Sequence, residues 1–172
     1  VVAETSSQGY VIPYGNDEIF STSAIYISVA FDPNAANVFV VAWKGGSSNY
    51  GMAAVGTVSG SSISFGSAVV FNSTTTSYLS ADVGTSNNII LSYSDGSVGS
   101  VSQVGTISGT SLSFGSTFSI EWTGYGKSVK FDPNDTTKFV ASYRAAAGYA
   151  VVGTVSGTSI TYGSIIQFDV SS

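Results

Sequence analysis

The sequence predicts an all-β fold of tandem four-stranded antiparallel repeats, and three observations predict it. A five-residue marker returns as Gly56-Thr57-Val58-Ser59-Gly60, Gly105-Thr106-Ile107-Ser108-Gly109 and Gly153-Thr154-Val155-Ser156-Gly157, at intervals of 49 and 48 residues. Short apolar runs rich in β-branched and aromatic residues are separated by Asp-Pro-Asn and Ser-Gly turn signals. Nothing along the 172 residues sustains a helical period.

A second marker follows each first one: Ile63-Ser64-Phe65-Gly66-Ser67, Leu112-Ser113-Phe114-Gly115-Ser116 and Ile160-Thr161-Tyr162-Gly163-Ser164. A worn fourth copy reads Ile12-Pro13-Tyr14-Gly15-Asn16, with Phe20 aligned to Phe71, Ile120 and Phe168. The other half of the unit repeats as well. Val29-Ala30-Phe31-Asp32-Pro33-Asn34 returns as Val129-Lys130-Phe131-Asp132-Pro133-Asn134, with Leu79-Ser80-Ala81-Asp82 between them. Asp32, Asp82 and Asp132, 50 residues apart, read as one position of the unit, as do Trp43, Tyr93 and Tyr143. The spacing divides a single domain, 1–172, into a half repeat (1–24) and repeats at 25–77, 78–126 and 127–172.

Each unit reads as four strands. In the first, Ile25, Ile27, Val29 and Phe31 share one face by period-two alternation, and Tyr26, Ser28 and Ala30 the other. Asp-Pro-Asn then forms a type I turn, with Asp bonding its own backbone and Pro fixing φ. The second strand is apolar on both faces: Phe39, Val41 and Trp43 on one, and a face ending in the small residues Ala42, Ser92 and Ser142 on the other. That pattern suits a central strand covered on both sides. A Gly- and Ser-rich loop leads to the third strand, for example Ala53 to Val58, and a tight Ser-Gly hairpin to the fourth, Ile63 to Phe71.

Four short strands per repeat of this length is the spacing of β-propeller blades; a β-sandwich or jelly roll with internal duplication is the alternative. Three and a half units are too few to close a ring. Two chains together making about seven blades, an open stack, or a longer chain would each complete the arrangement. Residues Ser59 to Phe65 resemble the Asp-box turn of sialidase-type blades in position, without the box's Asp and Trp. Over residues 9 to 170 the repeat wording resembles tail-fibre-like and other surface repeat proteins of aquatic bacteriophages. The resemblance implies a virion or extracellular fibre module, at the virion surface or outside the cell, that displays a surface for host or partner contact.

Composition narrows the function classes. Only 9% of residues are charged while 43% are hydrophobic, and no apolar run reaches the roughly 18 residues of a membrane span. The polar surface is therefore built from hydroxyls and amides. A net charge of −5 argues against nucleic acid, which needs a basic footprint. The absence of Cys and His removes disulfides, thiolate zinc sites and the usual triad base. Val1 in place of Met points to processing or to an excerpt of a longer chain.

We expect no enzyme, cofactor or metal, although paired carboxylates leave glycoside cleavage open. Asp132, Asn134 and Asp135 crowd oxygen ligands into one loop, but the glycine spacing and terminal Glu of an EF-hand are missing. The candidate ligand group lies where the repeat breaks symmetry. Trp122 and Tyr125 beside Glu121 match a sugar-stacking pair with an acceptor; the alternatives are a subunit contact or core packing. Tyr50 and Tyr149 are weaker candidates. Asn72 and Asn134 head N-glycosylation triplets in expected loops. The half repeat leaves sheet edges to be paired, which implies a homo-oligomer or filament joined by strand edges, with surface glycan as the other partner class.

Overall fold

A computed structural model describes residues 17–121 and 124–169, the side chain of Glu121 excepted. Of the described residues 69% lie in strands and none in a helix. It forms three antiparallel sheets, one per repeat, none of them closed into a barrel. Sheet 1 holds β1 (Ala24–Phe31), β2 (Val38–Gly45), β3 (Gly51–Ser59) and β4 (Ser62–Phe65) in that order, with β5 (Val69–Asn72) also on β3. Sheet 2 holds β6 (Thr76–Val83), β7 (Asn88–Asp95), β8 (Gly99–Ser108) and β9 (Ser111–Glu121). Sheet 3 repeats sheet 1 with β10 (Tyr125–Asp132), β11 (Asp135–Arg144), β12 (Gly148–Ser156), β13 (Ser159–Tyr162) and β14 (Ile166–Asp169), the last on β12.

Both glycines of the five-residue marker have a local cause. A Cβ at Gly56 or Gly153 would fall on the ring of Phe39 or Phe139, and one at Gly105 would lie 2.6 Å from the Phe114 ring. The strand is thus bare where a cross-strand side chain lies flat on it. Gly60, Gly109 and Gly157 each open a two-residue hairpin with φ near +60°, the region where a side chain is strained.

The second strand of each unit works as expected in sheets 1 and 2. Phe39, Val41 and Trp43 form the rear face of sheet 1; Val40 and Ala42 form its forward face, which packs on Ile89, Leu91 and Tyr93 at the rear of sheet 2. The forward face of sheet 2, through Ile90 and Val104, packs in turn on Val129, Phe131 and Phe139 at the rear of sheet 3. Two seams of one kind therefore hold the chain together, and sheet 2 is buried on both sides. In sheet 3 the expectation of two-sided burial fails, since Val140 is exposed on the forward face.

Side chains lace the seams together. The Ser28 hydroxyl accepts the Ala81 N–H at 3.0 Å, and the Ser80 hydroxyl accepts the Val129 N–H at 3.2 Å. Asn34 donates to the Gly84 carbonyl at 3.1 Å, and Asp82 accepts both the Phe131 N–H and the Lys130 ammonium.

Three readings of the repeat need correction. Asp82 is not equivalent to Asp32 and Asp132. It pairs with Ile90 as Ala30 pairs with Val40 and Lys130 with Val140, because the β6–β7 loop is two residues shorter than the β1–β2 loop. Asp32 and Asp132 do build turns, each accepting the N–H of the residue two ahead at 2.8 Å. Second, a bulge at Tyr26 breaks the expected alternation in β1, with equivalents at Tyr78 and Gly126. Third, the fourth strand is split into two pieces in sheets 1 and 3, and is continuous in sheet 2 only across two register shifts.

Candidate functional site

The bulges place three tyrosines in a row across the three sheets. Tyr26 on β1 and Tyr78 on β6 both hold φ at 53°, and Tyr125 precedes Gly126, which holds 56°. Their rings lie 5.5 Å apart (Tyr26 to Tyr78) and 5.3 Å apart (Tyr78 to Tyr125). Two aromatic residues at positive φ are costly, on the order of 1–3 kcal/mol each. Lys44 stands 5.9 Å over the Tyr26 ring.

Beside the Tyr78–Tyr125 pair is an open cleft of about 260 Å³, walled by Ser77, Ser94, Asp95 and the backbone of Gly96, Gly99 and Gly124. Asp95 Oδ1 accepts the Ser97 and Val98 N–H groups at 2.7 and 3.2 Å, which fixes the carboxylate in its loop. Ser94 donates to the Gly124 carbonyl at 2.8 Å and ties the sheet 2 wall to the start of β10. Aromatic faces beside hydroxyls and a fixed carboxylate suit a flat polyhydroxylated ligand by stacking and hydrogen bonding.

Of the expected ligand group, Tyr125 lines this cleft, exposed and stacked edge-on against Tyr78. Trp122 and the Glu121 side chain lie outside the described residues. Sequence reasoning missed Tyr26, Tyr78 and Asp95. The signal was the near-repeat spacing of Tyr26, Tyr78 and Tyr125, hidden by the bulge.

The other candidates separate. Asn72 is not in a loop: it ends β5, is buried, donates to the Thr76 hydroxyl at 3.0 Å and accepts from Thr74. Its amide is thereby withdrawn from modification in the fold. Asn134 is exposed in a turn. Beside that turn, Asp135 at the start of β11 is held down at about 2, first by the Lys138 ammonium and then by Thr137, so its oxygens are engaged by its own strand. Among the described residues no group of three or more acids forms a metal cage. Tyr149 stacks on Tyr143 at 5.6 Å, and Tyr50 is exposed.

One buried phenol, Tyr93, and one half-buried phenol, Tyr162, give the chain an alkaline limit. Tyr93 donates to Gln103 Oε1 at 2.9 Å, and burial, with Asp95 adding, pushes its hydroxyl well above the ordinary 10.0. Burial pushes Tyr162 up to about 12. Both phenols stay protonated in the fold where the unfolded chain releases its protons. Stability is therefore complete below pH 10 and falls as pH rises from 10 through 12, by about 1.4 kcal/mol per pH unit for each phenol. Urea titrations at pH 9 and pH 11.5 check this, and Tyr93→Phe should flatten the slope. An unchanged midpoint across that range would sink the assignment.

No protein-family model matches the chain, and no curated protein matches it.

Proposed function

We propose that this chain is a non-enzymatic structural or adhesive module of a virion fibre or extracellular filament, its sheets serving as propeller-like blades in a larger assembly. The observation that carries the reading is the use made of polar side chains. Ser28, Ser80, Asp82 and Asn34 bond across unit boundaries, so chemistry-bearing residues are spent on joining units. The first strands β1, β6 and β10 lie against one another in succession, as inner blade strands do. Electron microscopy of the purified chain in negative stain, with mass photometry on the same sample, tests the reading. Filaments or regular oligomers are the expected result. Compact monomers throughout the micromolar range would remove the assembly function.

A second reading, carbohydrate binding, is favoured by the tyrosine row and its cleft. Here Tyr78→Ala and Tyr125→Ala each weaken binding on a glycan array by about tenfold, the loss of one stacking face. Binding that ignores both substitutions would discard this reading while leaving the first untouched.

A further inference from the structure

We propose that a second copy of the chain stacks head to tail on the first, the forward face of its sheet 3 docking on the rear face of sheet 1 in the register of the internal seams. This rests on the structural reading above and changes its joint from strand edges to sheet faces.

The same positions are compared three times within one molecule. On the forward face, Val40 and Val55 of sheet 1 and Ile90 and Val104 of sheet 2 are at most 1% exposed, whereas their equivalents Val140 and Val152 in sheet 3 are 48% and 47% exposed. Phe71 is 7% exposed and its equivalent Phe168 is 67% exposed. The rear face shows the converse. Val129 and Phe131 of sheet 3 are 1% and 8% exposed, but Val29 and Phe31 of sheet 1 are 53% and 63%. The glycines agree. A Cβ at Gly66 would meet the Thr110 carbonyl of the next unit and one at Gly115 would meet Thr158, while at Gly163 the nearest atom is the chain's own Val152 oxygen at 3.7 Å. The two end faces are thus the separated halves of a seam the chain makes twice; the rear face of sheet 1 carries an apolar recess of about 350 Å³, and Val140 and Val152 of sheet 3 line one of similar volume that Lys130, Asp132 and Lys138 rim. A seam built from unlike halves is heterologous and propagates.

The rear face of sheet 1 already holds a partial occupant. Phe20 lies 5.0 Å from Trp43 and 5.5 Å from Phe65, the geometry of Phe71 with Tyr93 (5.1 Å) and Phe114 (5.6 Å). A docking copy brings Phe168 to that place, so Phe20 competes with it and restrains assembly.

The internal seams give the register of the joint. Ser28 meets Ala81 and Ser80 meets Val129, so Ser128 of one copy meets Val29 of the next. The chain has no cysteine, so a mixture of the single variants Ser128→Cys and Val29→Cys is a clean probe under mild oxidation. The expected product is the mixed disulfide dimer, in excess over either homodimer. Sedimentation provides the second measurement. Phe20→Ala tightens self-association about tenfold, and adding Val140→Glu and Val152→Glu returns it to monomer with an unchanged circular dichroism spectrum. Homodimers alone, or Phe20→Ala oligomers that survive the two glutamates, overturn face stacking. Wild-type filaments seen together with either of those results would leave the structural function standing with its joint elsewhere.

Discussion

Ile90→Ala lowers the melting temperature by about 6–12 °C, whereas Val140→Ala, one repeat on at the same register position, lowers it by less than about 4 °C. Ile90 is fully buried between sheets 2 and 3, within the cluster that includes Val104, Val129 and Phe139. Cutting it to Ala removes three carbons from a seam that cannot collapse without moving a whole sheet. The cost is about 3 kcal/mol, within the range of large-to-small core changes. Val140 faces solvent over nearly half its surface, and its cut to Ala removes only two carbons, so it loses few contacts and costs less than about 1 kcal/mol. Calorimetry at sub-micromolar chain, where copies are apart, is the measurement. Equal losses at the two positions would mean that the forward face of sheet 3 is already covered in solution.

Much of this fold was legible because the repeat states each constraint more than once. The marker glycines, the Asp turns and the two-sided second strand follow from rules that act within a few residues; the structure bears out the glycines in all three sheets, the Asp turns in sheets 1 and 3, and the two-sided second strand in sheets 1 and 2. Phe20 was aligned to Phe71 by spacing alone, and the ring contacts of the two agree. The errors share a cause, which is length. Asp82 matched Asp32 at 50 residues only because a shorter β6–β7 loop offset a longer stretch before it. Counting from the end of one strand to the start of the next would have exposed the slip. The tyrosine row was hidden for a different reason. A bulge that puts tyrosine at positive φ contradicts the steric preference on which strand reading rests, so period-two logic runs straight through it. Asn72 was misplaced because β5 continues past the apolar run into a residue whose amide is satisfied inside the sheet.

Gly56→Ala destabilises the chain by about 3 kcal/mol, and trimming the facing ring recovers much of the loss. The new methyl would fall on the Phe39 ring, which is itself packed against Phe65 at 5.8 Å. Phe39→Leu alone costs about 1 kcal/mol as a core truncation. In the double variant the smaller side chain makes space for the methyl, and the two losses fall short of their sum by more than about 1 kcal/mol. Gly60, four residues on in the same marker, supplies the contrast. A Cβ there meets nothing within 4 Å, but φ is +59°, so Gly60→Ala costs about 1–2 kcal/mol through the backbone alone. No substitution of a neighbour relieves that cost, whereas Gly60→Asn, a residue that tolerates the left-handed region, does so in part. A double-mutant cycle by urea unfolding separates the two causes. Coupling to Phe39 at Gly56 and none at Gly60 is the expected pattern. Equal coupling at both would show that the hairpin and the ring contact form one packing unit, and that the marker cannot be divided into a steric glycine and a conformational one.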